Sequence, residues 1–174
     1  MSQNIQDFYR VAQARGFSRD FMMRVTAIGE DTFNEDDYVY ITTKQLPGRD
    51  IANQAVPYMG LNFNVPGSAQ YPGSDSWSVT FRNDVKGIVR KKLEDWQINK
   101  VFDDQTSQGD LSVRGIDKLI QLELLDDKQN VVNTYKLFGV YVKSLGALEG
   151  YNIEGTGTVM TFTTVLAYHF WRHV

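Results

Sequence analysis

The chain has 174 residues, enough for one domain (1–174) with a core of its own, and it has no cysteine, which excludes disulfides and thiolate metal sites. Its net charge of −3, from 18 basic and 21 acidic residues, argues against a broad basic face that binds nucleic acid tightly. The start of the chain lacks the basic and apolar segments of a signal peptide, and no apolar run approaches the roughly 20 residues of a membrane helix, so we expect neither secretion nor membrane insertion.

Near the start of the chain, apolar residues recur at helical spacing: Ile5, Phe8, Tyr9 and Ala12. Because Gly16 follows, the pattern predicts a short helix over Gln3–Arg15 that ends near this glycine. The alternative is that residues 1–16 form an arm that becomes ordered only against a neighbouring molecule.

The next segments are typical of strands separated by turns. Phe21–Ile28 alternates apolar and polar residues, and Tyr38–Thr43 is rich in β-branched and aromatic residues, so both are predicted strands. The acidic segment Gly29–Asp37 between them is a predicted loop. Asp50–Val56 is a predicted short strand that Pro57 ends.

Tyr58–Val65 alternates as well and is followed by Pro66 and Gly67, which predicts a strand that ends there. The segment Ser68–Asp75 has no apolar period and is a predicted loop. The strand predicted at Ser76–Arg82 follows, so the two strands are expected to form an antiparallel hairpin with a long tip.

After Asn83–Asp84 the apolar period changes from two to about 3.6, which predicts a helix at about 84–98. Either of these two residues can cap its first turn. Five residues are expected to share the face that packs on a β core: Val85, Ile88, Val89, Leu93 and Trp96. The basic opposite side is either an ordinary solvated face or a docking surface for an acidic protein partner.

The rest of the chain is predicted to be β as well. Lys100–Arg114 is polar and irregular, Asp117–Leu125 and Val131–Val142 form a hairpin around the turn Asp126–Asn130, and Thr158–Trp171 is the last and longest strand. Seven or eight strands joined by hairpins, with one or two helices, favour an antiparallel β-sandwich or barrel.

No pattern in the chain indicates a catalytic, cofactor or metal site. His169 and His173 would lie about 13 Å apart on a strand, too far to bind one zinc ion. Gly150–Gly157 lacks the Gly-Lys-Ser/Thr of a phosphate-binding loop, and the adjacent aspartates are typical of solvated turns. We therefore expect a protein that is not an enzyme and needs no cofactor.

Four sequence marks occur in order along the chain. They are Leu46-Pro47-Gly48 with the apolar segment up to Tyr58, Asn62–Gly67, the strand–helix stretch Ser76–Gln97, and Gly139-Val140-Tyr141 leading to the Phe162, Leu166-Ala167-Tyr168 and Trp171 pattern. With these marks, the chain from about Phe21 to its C-terminus resembles the tail tube protein of contractile-tailed bacteriophages.

The resemblance implies a two-sheet β-sandwich or barrel with a flanking helix, shared with the inner tube of type VI secretion systems. It implies subunits that assemble as stacked hexameric rings around a lumen for genome passage. The implied partners are the chain itself, the tail sheath protein, baseplate and tail-terminator proteins, and DNA only as transient cargo in the lumen. The implied location is the virion tail, with the host cytoplasm before assembly.

Several alternatives remain open at this point. The chain could be the inner-tube protein of a type VI secretion or other contractile-injection system, or a baseplate protein that initiates the tube. A small-ligand-binding β-barrel is the alternative from another class, and it would require an apolar pocket with converging polar groups.

The resemblance also leads to three hypotheses about surfaces. Long irregular segments reach furthest, so we expect Lys44–Tyr58 and the Val65–Asp75 loop to carry ring stacking. The stacking candidates are Lys44, Leu46, Arg49, Ile51, Tyr58 and Tyr71. The candidates for the sheath-facing side of the helix are Lys86, Arg90, Lys91 and Glu94. The candidates for the lumen, on the polar face of the last hairpin and strand, are Gln121, Glu123, Thr161 and Thr163.

Overall fold

The computed structural model describes residues 5–29, 33–43, 45–103, 105–109, 118–148, 154–155 and 157–174. The described helices are α1 (Ile5–Arg15) and α2 (Ile88–Lys100), with a 3₁₀ helix at Glu35–Tyr40. The described strands are β1 (Met23–Ile28), β2 (Ile41–Thr43), β3 (Asp50–Tyr58), β4 (Leu61–Gln70), β5 (Trp77–Arg82), β6 (Leu119–Leu125), β7 (Val131–Phe138), β8 (Tyr141–Leu145), β9 (Thr161–Ala167) and β10 (Phe170–His173). Neither of the described α-helices is long and apolar enough to span a bilayer.

Eight of these strands form two four-stranded sheets. Sheet 1 has the order β1-β6-β7-β10 and sheet 2 the order β2-β5-β9-β8, while β3 and β4 pair only with each other. All pairings between these strands are antiparallel, which confirms the predicted fold class. One apolar core unites both sheets with α2, and its fully buried members include Ile28, Val79, Phe81, Val89, Leu93, Ile120, Leu122, Leu137, Val142 and Leu166.

The chain passes between the sheets at two adjacent corners. The strand predicted at Val131–Val142 is wrong in its extent, because β7 ends in sheet 1 and β8 begins in sheet 2 after Gly139. The strand predicted at Thr158–Trp171 is likewise divided, into β9 of sheet 2 and β10 of sheet 1. The two corners meet where the backbone N–H of His169 donates to the carbonyl of Phe138 at 2.9 Å.

Gly139 is required at this meeting point for two reasons. Its φ is +68°, a conformation that costs an L-residue roughly 1–2 kcal/mol, and a Cβ there would lie 2.5 Å from Nδ1 of His169. We expect Gly139→Ala to lower the free energy of unfolding by about 2 kcal/mol in urea denaturation. In the double variant Gly139→Ala/His169→Ala, the part of this lost free energy that comes from the clash with the imidazole ring should be recovered. If Gly139→Ala cost the same free energy of unfolding in a His169→Ala background, this account would be contradicted.

The flanking helix begins later than its apolar pattern predicts. Asp84 caps it as expected, because its carboxylate accepts hydrogen bonds from the amides of Ile88 (2.9 Å) and Val89 (3.3 Å). Gly87, at φ +64°, precedes the first helical residue, so Val85 lies in a turn outside the helix. Val85 is fully exposed and Ile88 is 46% exposed, so the prediction that these two residues face the core is wrong. Val89, Leu93 and Trp96 are buried as predicted.

The strand predicted at Tyr38–Thr43 is mostly a 3₁₀ helix, Glu35–Tyr40, and only its last three residues form β2. The backbone N–H of Asn34 donates to the carboxylate of Asp37 at 2.7 Å, and the N–H of Asp37 donates to the carbonyl of Asn34 at 3.0 Å. This reciprocal cap favours a helical turn over the extended conformation that the aromatic residues suggest. The 3₁₀ helix therefore begins at Glu35, inside the predicted acidic loop Gly29–Asp37.

The N-terminal helix is present as α1, and it ends at Gly16 (φ +66°) as predicted. None of its residues is buried. The helix therefore presents its apolar side to solvent. Gln3, much of the polar stretch Lys100–Arg114 and most of Gly150–Gly157 lie outside the described residues.

Candidate assembly interface

Strands β3 and β4 form a two-stranded hairpin, here called the arm (Asp50–Gln70). Met59 (φ 50°) and Gly60 (φ 80°) make its two-residue turn, whose left-handed residues match the twist of a hairpin. At about 3.3 Å per residue, the nine residues of β3 extend roughly 30 Å. The single strand predicted at Tyr58–Val65 is therefore wrong, since it contains this turn.

Two further predictions about this region are wrong. Ser68–Gln70 belong to β4 rather than to a loop, and β5 pairs with β2 and β9 instead of forming a hairpin with β4. Pro57 and Pro66 do not end their strands, because each strand of an isolated hairpin has one side without a hydrogen-bonded partner. Gly67 lies at an irregularity in the pairing, where a Cβ would be 2.9 Å from the carbonyl oxygen of Ala52.

The register of the arm separates its side chains into two faces. Directly opposed residues share a face, so the pairs on the apolar face are Gln54–Val65, Val56–Phe63 and Tyr58–Leu61. The pairs on the polar face are Asn53–Pro66, Ala55–Asn64 and Pro57–Asn62. The arm is thus amphipathic.

The apolar face of the arm has no partner within the described part of the subunit. Every residue of the arm is exposed except Ala52, which is half-buried, and the large apolar side chains range from 39% exposed at Val65 to 85% at Met59. No charged residue occurs from Ile51 to Gln70, although 22% of the whole chain is charged. An exposed apolar hairpin without charges is marginally stable alone and is typical of a segment that another chain covers.

Trp171 of β10 holds the root of the arm against the body of the subunit. Its indole N–H donates to the carbonyl of Gly48 at 2.9 Å, and its ring lies 5.1 Å from the guanidinium carbon of Arg49. The ring of Tyr71 packs edge-on against it at 6.4 Å. The arm therefore projects from a fixed base.

These contacts divide the residues predicted to carry ring stacking into exposed residues of the arm and packed residues of its root. Ile51 and Tyr58 lie on the arm and are exposed. Leu46 and Tyr71 are packed against the core, and Arg49 lies over Trp171, so these three build the root. Lys44 lies outside the described residues.

The predicted stacking segments Lys44–Tyr58 and Val65–Asp75 include Val56 and Val65 without naming them. Sequence reasoning missed the other apolar residues of the arm: Met59, Leu61 and Phe63. The signals that could have identified them are the long uncharged run and the alternation of apolar residues on both sides of Met59–Gly60.

The residues predicted to face a sheath differ in their surroundings. Lys86 is exposed in the turn before α2, and Lys91 is exposed on the helix. Arg90 is engaged inside the subunit, where its guanidinium donates to the carbonyl of Gly146 at 2.8 Å and forms an ion pair with Glu94 at 2.9 Å. A charge reversal at Arg90 would thus disturb the subunit itself, so Lys91 is the better residue to substitute.

The four residues predicted to line a lumen lie on opposite sides of the molecule. Gln121 and Glu123 are on β6 and point away from the core on sheet 1, whereas Thr161 and Thr163 do so on sheet 2. The prediction that all four share one surface is therefore wrong. Its cause is the corner after β7 at Gly139, where the chain leaves sheet 1, so that the β6–β7 hairpin and β9 belong to different sheets.

The outer faces of the two sheets differ in chemistry. Sheet 2 presents mainly hydroxyl groups, at Thr42, Ser78, Thr80, Thr161 and Thr163. Its exposed basic residues are Arg82, at the end of β5, and Lys143 on the edge strand β8, whose ammonium pairs with Asp75. The hydroxyls of Thr80 and Thr163 lie 3.1 Å apart and share a hydrogen bond. Sheet 1 instead presents charged residues at registered positions: Arg24, Glu123, Lys136 and Arg172.

Glu123 is only 9% exposed because its neighbours cover it. Its carboxylate accepts hydrogen bonds from Arg24 at 2.7 Å and from the amide of Gln121 at 2.9 Å. Burial by itself raises the pKa of Glu123, but the hydrogen bonds and the positive charge of Arg24 outweigh it, and the pKa is lowered. The carboxylate is therefore ionised and satisfied inside the subunit.

This pair should make the fold sensitive to acid. Because the pKa of Glu123 is lower in the folded state, its contribution to stability is present above the ordinary value of about 4.3 and is lost as the pH falls through the folded value. We expect Glu123→Gln to flatten the dependence of the free energy of unfolding on pH below about pH 5. Arg24→Met should instead reverse the sign of this contribution, because burial then raises the pKa of Glu123 and its protonation at low pH stabilises the fold. Identical profiles for both variants and the parent chain would contradict this account.

The described residues contain no group of three or more His, Cys, Asp or Glu side chains that could hold a metal ion.

Comparison with known proteins relates the fold to contractile machines. No protein-family model matches the chain, and no curated protein matches it either. Among solved structures, a chain of the anti-feeding prophage baseplate aligns with a TM-score of 0.58 at 12% identity, over 91% of this chain and 94% of that chain. A chain of the cap that terminates the anti-feeding prophage tube aligns with a TM-score of 0.57 at 14% identity, over 91% of both.

A third chain comes from the sheath–tube complex of an extracellular contractile injection system, PVC, in its extended state. It aligns with a TM-score of 0.55 at 16% identity, over 99% of both chains. These likenesses extend over nearly the whole chain. The fold is therefore the one found in these components of contractile injection systems, as the resemblance of the sequence predicted.

Proposed function

We propose that the chain is a non-enzymatic structural subunit of the inner tube of a contractile tail, assembled in stacked hexameric rings. The observation that carries the proposal is the arm, whose uncharged apolar face is exposed on a subunit with the fold of contractile-machine components. A chain that functions alone gains nothing from such a surface, whereas a chain built into a polymer buries it in every copy. In a phage tail, the partners would be the sheath, baseplate and terminator proteins, and the location would be the virion tail.

We assign the lumen wall to the outer face of sheet 2, which carries Thr161 and Thr163. Hydroxyl groups hydrate a channel without holding phosphates, while each fixed lysine or arginine would replace a counterion on passing DNA and retain it. The outer face of sheet 1, with Arg24, Lys136 and Arg172, suits this role less well. DNA would then be transient cargo rather than a bound ligand.

We assign the sheath-facing exterior to the exposed side of α2 and the turn before it. Lys86 and Lys91 are exposed cations there, Asp95 is an exposed carboxylate one turn after Lys91, and Ile88 adds an apolar contact beside them. A mixed basic and apolar surface fits an acidic protein partner.

Electron microscopy of the concentrated purified chain tests the central proposal. Rings or tubes of constant diameter are expected, alone or after addition of a baseplate or other tube-initiating complex. A chain that remains monomeric in the presence of such a template would overturn the proposal.

Single cysteines test the lumen assignment cleanly, because the chain has none of its own. In assembled tubes, Thr163→Cys should react with a small maleimide and resist a maleimide carrying a large polymer. Lys91→Cys, on the exterior, should react with both. Equal reaction of Thr163→Cys with the two reagents would place sheet 2 outside the lumen.

A further inference from the structure

The N-terminal segment carries a second exposed apolar surface, here called the N-terminal patch. Its members are Ile5, Phe8, Tyr9, Val11, Phe17 and Phe21, each between 46% and 70% exposed. The rings of Phe8 and Phe17 stack at 5.9 Å, which ties the helix to the segment that follows it. The patch and the arm together hold most of the large apolar side chains that the described residues expose.

The patch and the root of the arm lie at opposite ends of sheet 1. The patch leads into β1 at Met23, which pairs with Leu124 beside the β6–β7 turn. The root of the arm is bonded to Trp171, which pairs with Leu137 near the other end of β7. The six residues from Leu137 to Val131 correspond to a separation of about 20 Å. Both surfaces are exposed, so neither covers the other within one subunit.

The N-terminal patch lies beside two surface cavities. Residues from Arg15 to Met22 and the β6–β7 turn together line two adjoining open cavities of about 280 and 260 Å³. The cavities share an apolar floor of Met22 and Leu125, with Asp126 and Asp127 at the rim. Arg19 lines the first cavity, and Arg15 lines the second. An apolar floor with a polar rim is the composition of a protein–protein contact site.

We propose that the apolar face of the arm of one copy packs on the N-terminal patch of the next copy. This inference rests on the proposed function and names the partner surface of the arm. Side chains exposed to this degree present on the order of 800 Å² on each surface, about what one partner contributes to a standard interface. The partner is a second copy because both surfaces are apolar, similar in extent and repeated on every chain.

The geometry makes this contact heterologous. An arm at one end of sheet 1 that binds a patch at the other end leaves a free arm and a free patch on every dimer. Copies therefore add head to tail, and we assign this contact to stacking between rings rather than to closure within a ring. A subunit that terminates a stack would need only one of the two surfaces, so the presence of both favours a repeating unit.

Engineered cysteines test the contact in the otherwise cysteine-free chain. Phe8→Cys and Leu61→Cys are combined in one chain, and the assembled protein is treated with a short bis-maleimide and separated on a denaturing gel. A ladder of covalent multimers is expected, because each copy carries both halves of the contact. The matched control replaces Leu61→Cys with Asn62→Cys on the polar face of the arm and should give little or no ladder.

The outcomes separate this inference from the proposed function. Tubes by microscopy without a ladder, or a ladder of equal strength in the control, overturn the contact and leave the tube subunit standing. A ladder from filaments that never form rings supports the contact and overturns the hexameric tube. Circular dichroism of each variant excludes unfolding as the cause of a missing ladder.

Discussion

Phe63→Glu should abolish self-assembly while leaving the subunit folded. Phe63 is 50% exposed in the isolated subunit, so the substitution should change the free energy of unfolding by no more than about 0.5 kcal/mol. In an assembly its side chain lies on the face that we expect to be covered, where an unpaired carboxylate costs about 2 kcal/mol or more. The concentration required for assembly should therefore rise by about 30-fold or more, measured by sedimentation and electron microscopy.

Asn62→Glu provides the matched control for this experiment. It introduces the same charge one residue away but on the polar face, opposite Pro57. Assembly should persist near the concentration required for the parent chain. If Asn62→Glu blocked assembly as strongly as Phe63→Glu, the effect would come from charge on the arm rather than from burial of its apolar face.

Leu93→Ala should destabilise the subunit by about 2–5 kcal/mol, because the side chain is fully buried between α2 and the sheets and its removal leaves a cavity. For a domain of this size, that loss corresponds to a fall in melting temperature of about 5–15 °C. Thermal unfolding followed by circular dichroism measures it.

Val85→Ala tests whether Val85 packs on the core, as the apolar periodicity predicts, or is exposed, as the structure shows. The periodicity puts Val85 on the same face as Leu93, but the structure leaves Val85 fully exposed in the turn before Gly87. We expect its substitution to change stability by less than about 0.5 kcal/mol. A loss comparable with that of Leu93→Ala would mean that the helix begins earlier than described.

Much of the fold could be predicted from local patterns. The alternation in Asp117–Leu125 and the polar turn Asp126–Asn130 correctly predict β6 and its turn into β7, and Asp84 correctly predicts the cap of α2. These features depend on residues within a few positions of one another, where side-chain period and capping chemistry act directly. The mainly β, antiparallel class follows from the same local information.

The partners of the strands could not be predicted in this way. A period of two indicates that Val131–Val142 and Thr158–Trp171 are extended, but it does not show that each passes from one sheet to the other. That passage depends on Gly139 and His169, which meet only after the chain has folded. The predicted lumen residues fell on two opposite surfaces for this reason.

The arm illustrates the same division between local and tertiary information. The residues from Ile51 to Gln70 carry both its amphipathic alternation and its lack of charge. Only the structure shows that the strand on each side of Met59–Gly60 pairs with the other and with nothing else described. Local chemistry thus determined the two faces of the arm, whereas its exposure was decided by tertiary structure, because exposure depends on which surfaces the rest of the subunit leaves uncovered.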